Sequence, residues 1–251
     1  MKRLLALCLF LTPAAFADEA AQLTAFAEGR YHEAVSLAET QPSADNLAFA
    51  ARSLLAEAMS APDQVPPQVL AEQAETYARR ALSTKTDHIE GRLQLAIALS
   101  LRARPLTTRE AMRSGYGSEA KDLAEAVLND DPANIYAHGF LAVWNIEVVR
   151  RGGRMGASFL GASVTKGKRH YHSAIASDAG DASIHWQYAK ALTALNAKKY
   201  RSDIDAALAE ALNAVAESEL ERIMQGRALQ LKTALDTQPR KACEQLAAEM
   251  L

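Results

Sequence analysis

Residues 126–142 read AVLNDDPANIYAHGFLA, and this stretch decides the fold. Apolar residues at three- and four-residue spacing lead into Asn129, and the same spacing resumes after Pro132. Asp131 followed by Pro132 is a helix-start signal, because an aspartate oxygen caps free backbone amides and a proline is pre-set for the first helical turn. The stretch therefore predicts the end of one amphipathic helix, a tight turn and the start of a second helix.

The same helical spacing of apolar residues covers most of the chain, and runs of β-branched residues are nearly absent. We therefore predict an all-α fold. Residues 135–149 differ from the other helical segments, because their apolar residues spread around most of the helix circumference. Such a helix belongs in the middle of a stack, where neighbours cover it on several sides.

A short pattern recurs along the chain: one residue, three others, a larger apolar residue and then alanine. It starts at Ala51, Gly91, Ala137 and, more loosely, Ile184, which is roughly every 45 residues. One further amphipathic helix lies in each interval. The predicted repeating unit is therefore a pair of helices.

These features resemble the tetratricopeptide repeat (TPR) family. Residues 29–34 (GRYHEA) are similar to the start of that family's second helix, and the stretch from Ala126 to Ala142 is similar to its junction between repeats. The resemblance implies a right-handed solenoid of about five antiparallel helix hairpins with irregular insertions. It also implies a concave groove that binds peptides, tails or helices, as in a scaffold or adaptor protein.

The sequence departs from the family pattern in its period, which is about 34 residues in tetratricopeptide repeats. Insertions around residues 61–67, 102–117 and 152–168 account for the difference, and the fifth hairpin, near residues 217–235, does not keep the repeat register. A related solenoid with longer repeats is the alternative interpretation.

Residues 1–17 have the three-part layout of a cleavable signal peptide. Lys2 and Arg3 precede an apolar run over residues 4–11, and Ala15-Phe16-Ala17 predicts cleavage before Asp18. A membrane anchor is disfavoured because the run is shorter than the roughly 20 residues of a spanning helix. A lipoprotein signal is disfavoured because Cys8 follows Leu7 rather than a small residue. We predict a periplasmic protein with one helical-repeat domain over residues 18–251.

The formal net charge of −2 gives no support for nucleic-acid binding. Residues 150–172, in contrast, contain no acidic residue and five of the twelve glycines. One interpretation is a basic, glycine-rich loop that attracts a carboxylate-rich peptide, an anionic envelope polymer or lipid headgroups. The alternatives are a solvated crossover or a loop that packs back through Met155, Phe159 and Leu160. The candidate binding residues are Arg150, Arg151, Arg154, Lys166, Lys168 and Arg169.

We predict no catalytic residue, no metal and no cofactor. The glycines from Gly161 to Gly167 do not fit a phosphate-binding loop, because five residues separate them and Arg169 follows Lys168. His170 and His172 are two positions apart, which places them on different sides of a helix. Cys243, the one cysteine after the predicted cleavage site, is interpreted as a packing residue. The same interpretation is preferred to groove lining for Trp144, Trp186 and Tyr188.

Three functions remain in competition. The first is a periplasmic scaffold that binds an envelope protein or peptide through its groove and basic loop. The second is an accessory subunit of a solute transporter, which would hold a small ligand. The third, an envelope enzyme with a helical-repeat body, lacks a convergent set of titratable residues in the sequence. The sequence leaves the oligomeric state open.

Overall fold

The computed structural model describes residues 13–61, 64–177 and 181–251. This part of the chain forms thirteen helices and no strand, which confirms the all-α prediction. The helices are α1 (Pro13–Ala27), α2 (Tyr31–Glu39), α3 (Ala44–Ser60), α4 (Pro67–Thr84), α5 (Ile89–Ala103), α6 (Thr108–Ser114), α7 (Tyr116–Asp130), α8 (Ile135–Leu160), α9 (Val164–Ser177), α10 (Ala182–Asn196), α11 (Arg201–Asn213), α12 (Glu219–Thr237) and α13 (Arg240–Glu249).

Most of the predicted signal peptide, residues 1–12, lies outside the described residues. Helix α1 begins at Pro13 and continues through the predicted cleavage position before Asp18. The signal peptide and its removal therefore stay a prediction. Within the described ranges, no helix combines the length and the hydropathy required to cross a bilayer.

Neighbouring helices pack in pairs: α1 with α2, α3 with α4, α5 with α7, α8 with α9, α10 with α11, and α12 with α13. The described chain thus contains six pairs where about five were predicted. Helix α6 lies between the members of the third pair, inside the predicted insertion at residues 102–117. The prediction of a hairpin near residues 217–235 was wrong, because these residues fall largely within the single helix α12.

The repeated sequence pattern marks the inner helix of four successive pairs. Its large residues are Leu55 in α3, Leu95 in α5, Leu141 in α8 and Tyr188 in α10, and each is 1–2% exposed. The alanine after each of them is 0–1% exposed. A small residue at this position lets neighbouring helices approach closely, while the larger residue before it fills the space between them. The prediction of paired helices is therefore confirmed at the residues that carried it.

Polar side chains start the helices near the turns. Asp181 accepts hydrogen bonds from the backbone N–H groups of Ser183 and Ile184 and so caps the start of α10. The prediction for Asp131 was wrong by one turn, because Asn134 is the residue that caps α8. Asp131 instead accepts a hydrogen bond from the Asn134 side-chain amide and orients it.

The last pair of helices folds back across the inner face of the stack. Helix α12 contacts α10 and α11 beside it, and it also contacts α3 near the other end of the chain. Leu220 at the start of α12 packs against the N-terminal cluster that contains Phe26 and Tyr31. The same side chain packs against the large C-terminal cluster. The concave face is therefore partly covered by the chain itself.

Candidate binding site

Partial covering of the concave face leaves a partly open cavity of about 550 Å³, which we call the inner cavity. Its walls come from the inner helices α3, α5, α8 and α10, from α12, and from Ala247, Ala248, Met250 and Leu251 at the end of the chain. This volume lies within the range of pockets that hold small molecules or a few residues of peptide. The lining is mainly apolar and includes Leu55, Met59, Leu93, Ile97, Phe140, Val143, Trp144, Val148, Ile184, Leu220, Met224 and Met250.

The central position predicted for residues 135–149 is confirmed, because α8 contacts α5, α7, α9 and α10. It also explains why this segment is apolar on most sides. Ile146 is fully buried in the core cluster, whereas Val143 and Val148 face the cavity. One helix thus packs against its neighbours and forms a wall of the cavity.

Met112 on α6 and Phe159 near the end of α8 also line the cavity, yet they are 57% and 76% exposed. We call these two residues the apolar rim. Large, solvent-exposed apolar side chains at the edge of an apolar pocket are typical of a binding site for a ligand or a protein partner.

The predicted glycine-rich loop is mostly helical, so that prediction was wrong. Helix α8 runs to Leu160 with one non-helical residue, Gly153 (φ 58°, ψ −157°), and it ends at Gly161 (φ 65°). Both glycines occupy left-handed backbone that other residues adopt with strain. At Gly167 a Cβ atom would lie 2.9 Å from the carbonyl oxygen of Ala142. These glycines produce a helix kink, a helix end and a close helix crossing, and none of these needs a long loop.

The structure distributes the six predicted basic residues over two helices rather than in one loop. Arg150 and Arg151 line the cavity. Arg150 forms a two-pronged ion pair with Glu147, with its closest approach at 2.7 Å. Arg151 donates to the carbonyl oxygens of Ala103 (3.1 Å) and Leu106 (2.6 Å) at the end of α5.

The other four predicted basic residues lie outside the cavity lining. Lys168 pairs with Asp203 at 2.6 Å, and Lys166 donates to the carbonyl oxygen of Gly161. Arg154 and Arg169 are not part of the cavity wall. A binding role for these four residues stays a prediction.

Arginines that the sequence did not single out hold the helix ends around the cavity. Arg104 donates to the carbonyl oxygens of Ala248 (3.1 Å) and Met250 (2.9 Å) at the end of α13. Arg227 donates to the carbonyl oxygen of Met59 (2.5 Å) at the end of α3. Cations favour helix C-termini, whose last carbonyl groups lack partners and carry partial negative charge. Together with Arg151, these residues fasten the ends of three helices at one side of the cavity.

Lys190 on α10 also lines the cavity, and it is 8% exposed. Within the described ranges its ammonium group makes no hydrogen bond or ion pair. Its one described contact is with the ring of Trp186, at 5.9 Å from Nζ. Burial lowers the pKa of Lys190 to about 7, and nearby Arg104 contributes to the lowering, while the Glu147 carboxylate acts in the opposite direction.

Sequence reasoning missed Lys190, although one signal was present. Lys190 sits in the inner helix of its pair, directly after the repeat residues Tyr188 and Ala189. The positions three and four residues away are Trp186, Gln187, Thr193 and Ala194, so no acidic neighbour exists to pair with it along the helix.

The packing interpretation holds for three residues and is incomplete for a fourth. Trp186 is fully buried, Cys243 is 1% exposed, and Tyr188 stacks on Tyr171 with ring centroids 3.7 Å apart. Trp144 is also buried, and its indole N–H donates to the carbonyl oxygen of Gly117. It nevertheless forms part of the cavity wall.

His170 pairs with His138 rather than with His172, and the two Nδ1 atoms are 2.9 Å apart. His138 Nε2 lies 3.1 Å from the carbonyl oxygen of Pro132, which makes this nitrogen the donor. Its Nδ1 then accepts the proton donated by His170 Nδ1. Across residues 13–61, 64–177 and 181–251, no group of three or more His, Cys, Asp or Glu side chains is arranged to hold a metal ion.

No family model matches this chain, and no curated protein matches it in sequence. Among solved structures, the chain is similar to a thermophilic TPR protein from Thermus thermophilus. The TM-score is 0.59 and the sequence identity is 18%, over 86% of this chain and 98% of the other. A likeness at this identity concerns the fold. Together with the six helix pairs, it shows that the chain has a tetratricopeptide-like helical-repeat fold.

Proposed function

We propose that this chain is an exported binding scaffold of the cell envelope that receives a segment of a protein partner at its inner cavity. The observation that carries the proposal is the closure of the concave face over a mainly apolar cavity with the apolar rim at its edge. An open groove would bind a long peptide along its whole length. A partly covered groove instead favours a short apolar segment inserted beside the rim.

Binding rather than catalysis is supported by the use of the polar groups around the cavity. The guanidinium groups of Arg104, Arg151 and Arg227 are engaged with backbone carbonyl oxygens, and Arg150 is engaged with Glu147. These contacts fix the shape of the cavity. A rigid apolar pocket with a preformed shape lowers the entropic cost of binding.

Site-specific photo-crosslinking tests the scaffold proposal. A benzoyl-phenylalanine replaces Phe159 in the rim or, as the control, Val215, which is 79% exposed and lies outside the cavity lining. Irradiation of cells should give a discrete protein adduct at position 159 that is absent at position 215. Identical adduct patterns at both positions, or no adduct at position 159, would contradict the proposal.

Export is supported by the three-part pattern of residues 1–17. The test is fractionation of cells that produce the full chain or a variant lacking residues 2–17. We expect the full chain in the periplasmic fraction with Asp18 as its first residue, and the truncated variant in the cytoplasm. Equal distribution of both forms would overturn this part of the proposal.

An accessory role in solute uptake is the second candidate, and the size of the cavity favours it. A volume of about 550 Å³ suits a small solute as well as a peptide segment. Native mass spectrometry of the chain purified from the periplasm distinguishes the two functions. A small molecule that co-purifies in stoichiometric amount supports uptake, and a ligand-free chain with a specific rim adduct supports the scaffold.

A further inference from the structure

We propose that the inner cavity binds an apolar chain that ends in a single carboxylate, with the ammonium group of Lys190 as the counter-ion. The ligand is either a free amphipathic acid or the terminal residue of a bound peptide. This inference rests on the proposed binding function of the cavity and names the chemistry that the cavity recognises.

The first argument is the position of Lys190. An ammonium group that has lost most of its contact with water and has no hydrogen-bond partner in the protein is costly. The residue is only 8% exposed, and it lines the cavity. A ligand anion in the cavity would supply the missing acceptor.

The second argument is the charge surrounding Lys190. The charged groups that act on it are Arg104 from the end of α5, Glu147 and Arg150 from α8, and Arg227 from α12. Each guanidinium group already has an acceptor, and Glu147 is held by Arg150. Cations outnumber anions in this set, and Lys190 is its one member without a described hydrogen bond. The set therefore carries an excess of positive charge, which favours an anionic ligand beside Lys190.

The third argument concerns the kind of anion. The C-terminal ends of α3, α5 and α13 converge near the arginines, and helix C-termini carry partial negative charge. These partial charges offset part of the positive charge of the set, which favours a monoanion over a dianion such as a phosphate monoester. The cavity walls are mainly apolar, with Phe140, Val143 and Met224 among them. A monoanion on an apolar chain fits both features.

Binding should weaken as the pH rises. The pKa of Lys190 is lowered to about 7, mainly by burial. Below that value the ammonium form predominates and can pair with a carboxylate, whereas above it the neutral amine predominates. We therefore expect higher affinity for a carboxylate at about pH 6 than at about pH 8.5.

Isothermal titration calorimetry of the purified chain tests the proposal with two matched pairs of probes. Decanoate is compared with decan-1-ol, and an acetylated Ala-Leu-Leu-Phe peptide with a free C-terminal carboxylate is compared with its amide. The variants are Lys190→Met and, as a control on an exposed lysine, Lys198→Met. We expect one of the two acids, decanoate or the peptide acid, to bind the wild type and Lys198→Met with equal affinity. The affinity of the same acid for Lys190→Met should be at least about tenfold lower.

The outcomes separate the two ligand sources. Lys190-dependent binding of decanoate identifies a free acid, and Lys190-dependent binding of the peptide acid but not its amide identifies a chain end. If neither acid binds, or if Lys190→Met binds both as the wild type does, the proposal is overturned. Should Lys190→Met fail to fold, the matched probes decide with the wild-type chain: acids that bind no more tightly than decan-1-ol and the peptide amide overturn the proposal.

The scaffold proposal can survive this failure. A rim adduct at position 159 that persists in Lys190→Met would show a working scaffold without carboxylate recognition. Conversely, if acid binding depends on Lys190 but no protein adduct forms at position 159, the carboxylate site is supported and the proposal of a protein partner is overturned.

Discussion

At the scale of single residues, the cavity is surrounded by one buried and three half-buried cations. Arg104, Arg151, Arg227 and Lys190 come from four different segments and surround one cavity or its supporting helix ends. The three arginines stabilise the fold because they satisfy backbone carbonyl groups at helix ends. Lys190 has no such role, so its burial is a cost that ligand binding can offset.

Replacing Arg104 should separate these roles. Arg104→Leu removes the donor to the carbonyl oxygens of Ala248 and Met250 and leaves them without their partner. We expect the free energy of unfolding to fall by about 1–3 kcal/mol, measured by urea denaturation. Arg109→Leu, which changes an exposed arginine on α6, is the control and should have little effect. Equal stability of the two variants would contradict a fastening role.

The histidine pair gives a pH dependence with a defined sign. Burial, and then His138, lower the pKa of His170 below its ordinary value of 6.5. The unfolded chain therefore takes up this proton first as the pH falls, and stability is lost below about pH 6.5. We expect the loss between about pH 7 and pH 5 to be smaller in His170→Phe than in the wild type. His172→Phe on the same helix should keep the wild-type loss, and an identical loss in all three proteins would contradict the assignment.

At the scale of helices, the sequence predicted the pairs well and their connections less well. The repeated pattern at Leu55, Leu95 and Leu141 predicted helix pairs, and the structure places these residues on the inner helix of each pair, where a large and a small residue are needed for packing. The glycines of residues 152–168 were misread as a loop, because a glycine signals a turn and a close helix crossing alike. At Gly167 the reason for glycine is an approach to Ala142, far back along the chain, which no local pattern contains.

Substitution of this glycine tests the crossing of α8 and α9. Gly167→Ala would place a Cβ atom 2.9 Å from the carbonyl oxygen of Ala142, so the helices must separate. We expect a loss of about 1–3 kcal/mol in the free energy of unfolding. Gly156→Ala is the matched control in α8, where a Cβ atom meets nothing within 4 Å. That variant should be unchanged or more stable by about 0.5–1 kcal/mol, because alanine favours the helix.

At the scale of the whole molecule, the contacts of α12 and α13 with the N-terminal half of the chain define the site. The sequence predicted a concave groove from resemblance to a repeat family, but it contained no sign that α12 and α13 cover that groove. Arg104 and Ala248 are 144 positions apart along the chain. A repeating sequence pattern reports contacts between residues a few positions apart, and it carries no information about contacts at this separation. The cavity could therefore be found only in the folded chain.

Leu220 provides a test of this closure. Leu220→Ala removes side-chain contacts to both the N-terminal and the C-terminal clusters. We expect a loss of about 2 kcal/mol in stability and faster hydrogen exchange in α2 as well as in α12. Leu229→Ala, on the same helix but 56% exposed, should leave both regions unchanged. Faster exchange confined to α12 would show that the two ends are independent.

The contact of α12 with α3 also bears on how the number of repeats can change. An open repeat array tolerates the gain or loss of a unit, since each unit touches only its neighbours. Here, an added or deleted pair would displace Arg227 from Met59 and Arg104 from the end of α13. The array is therefore locked at its present length, and it should melt as one cooperative unit rather than fray repeat by repeat.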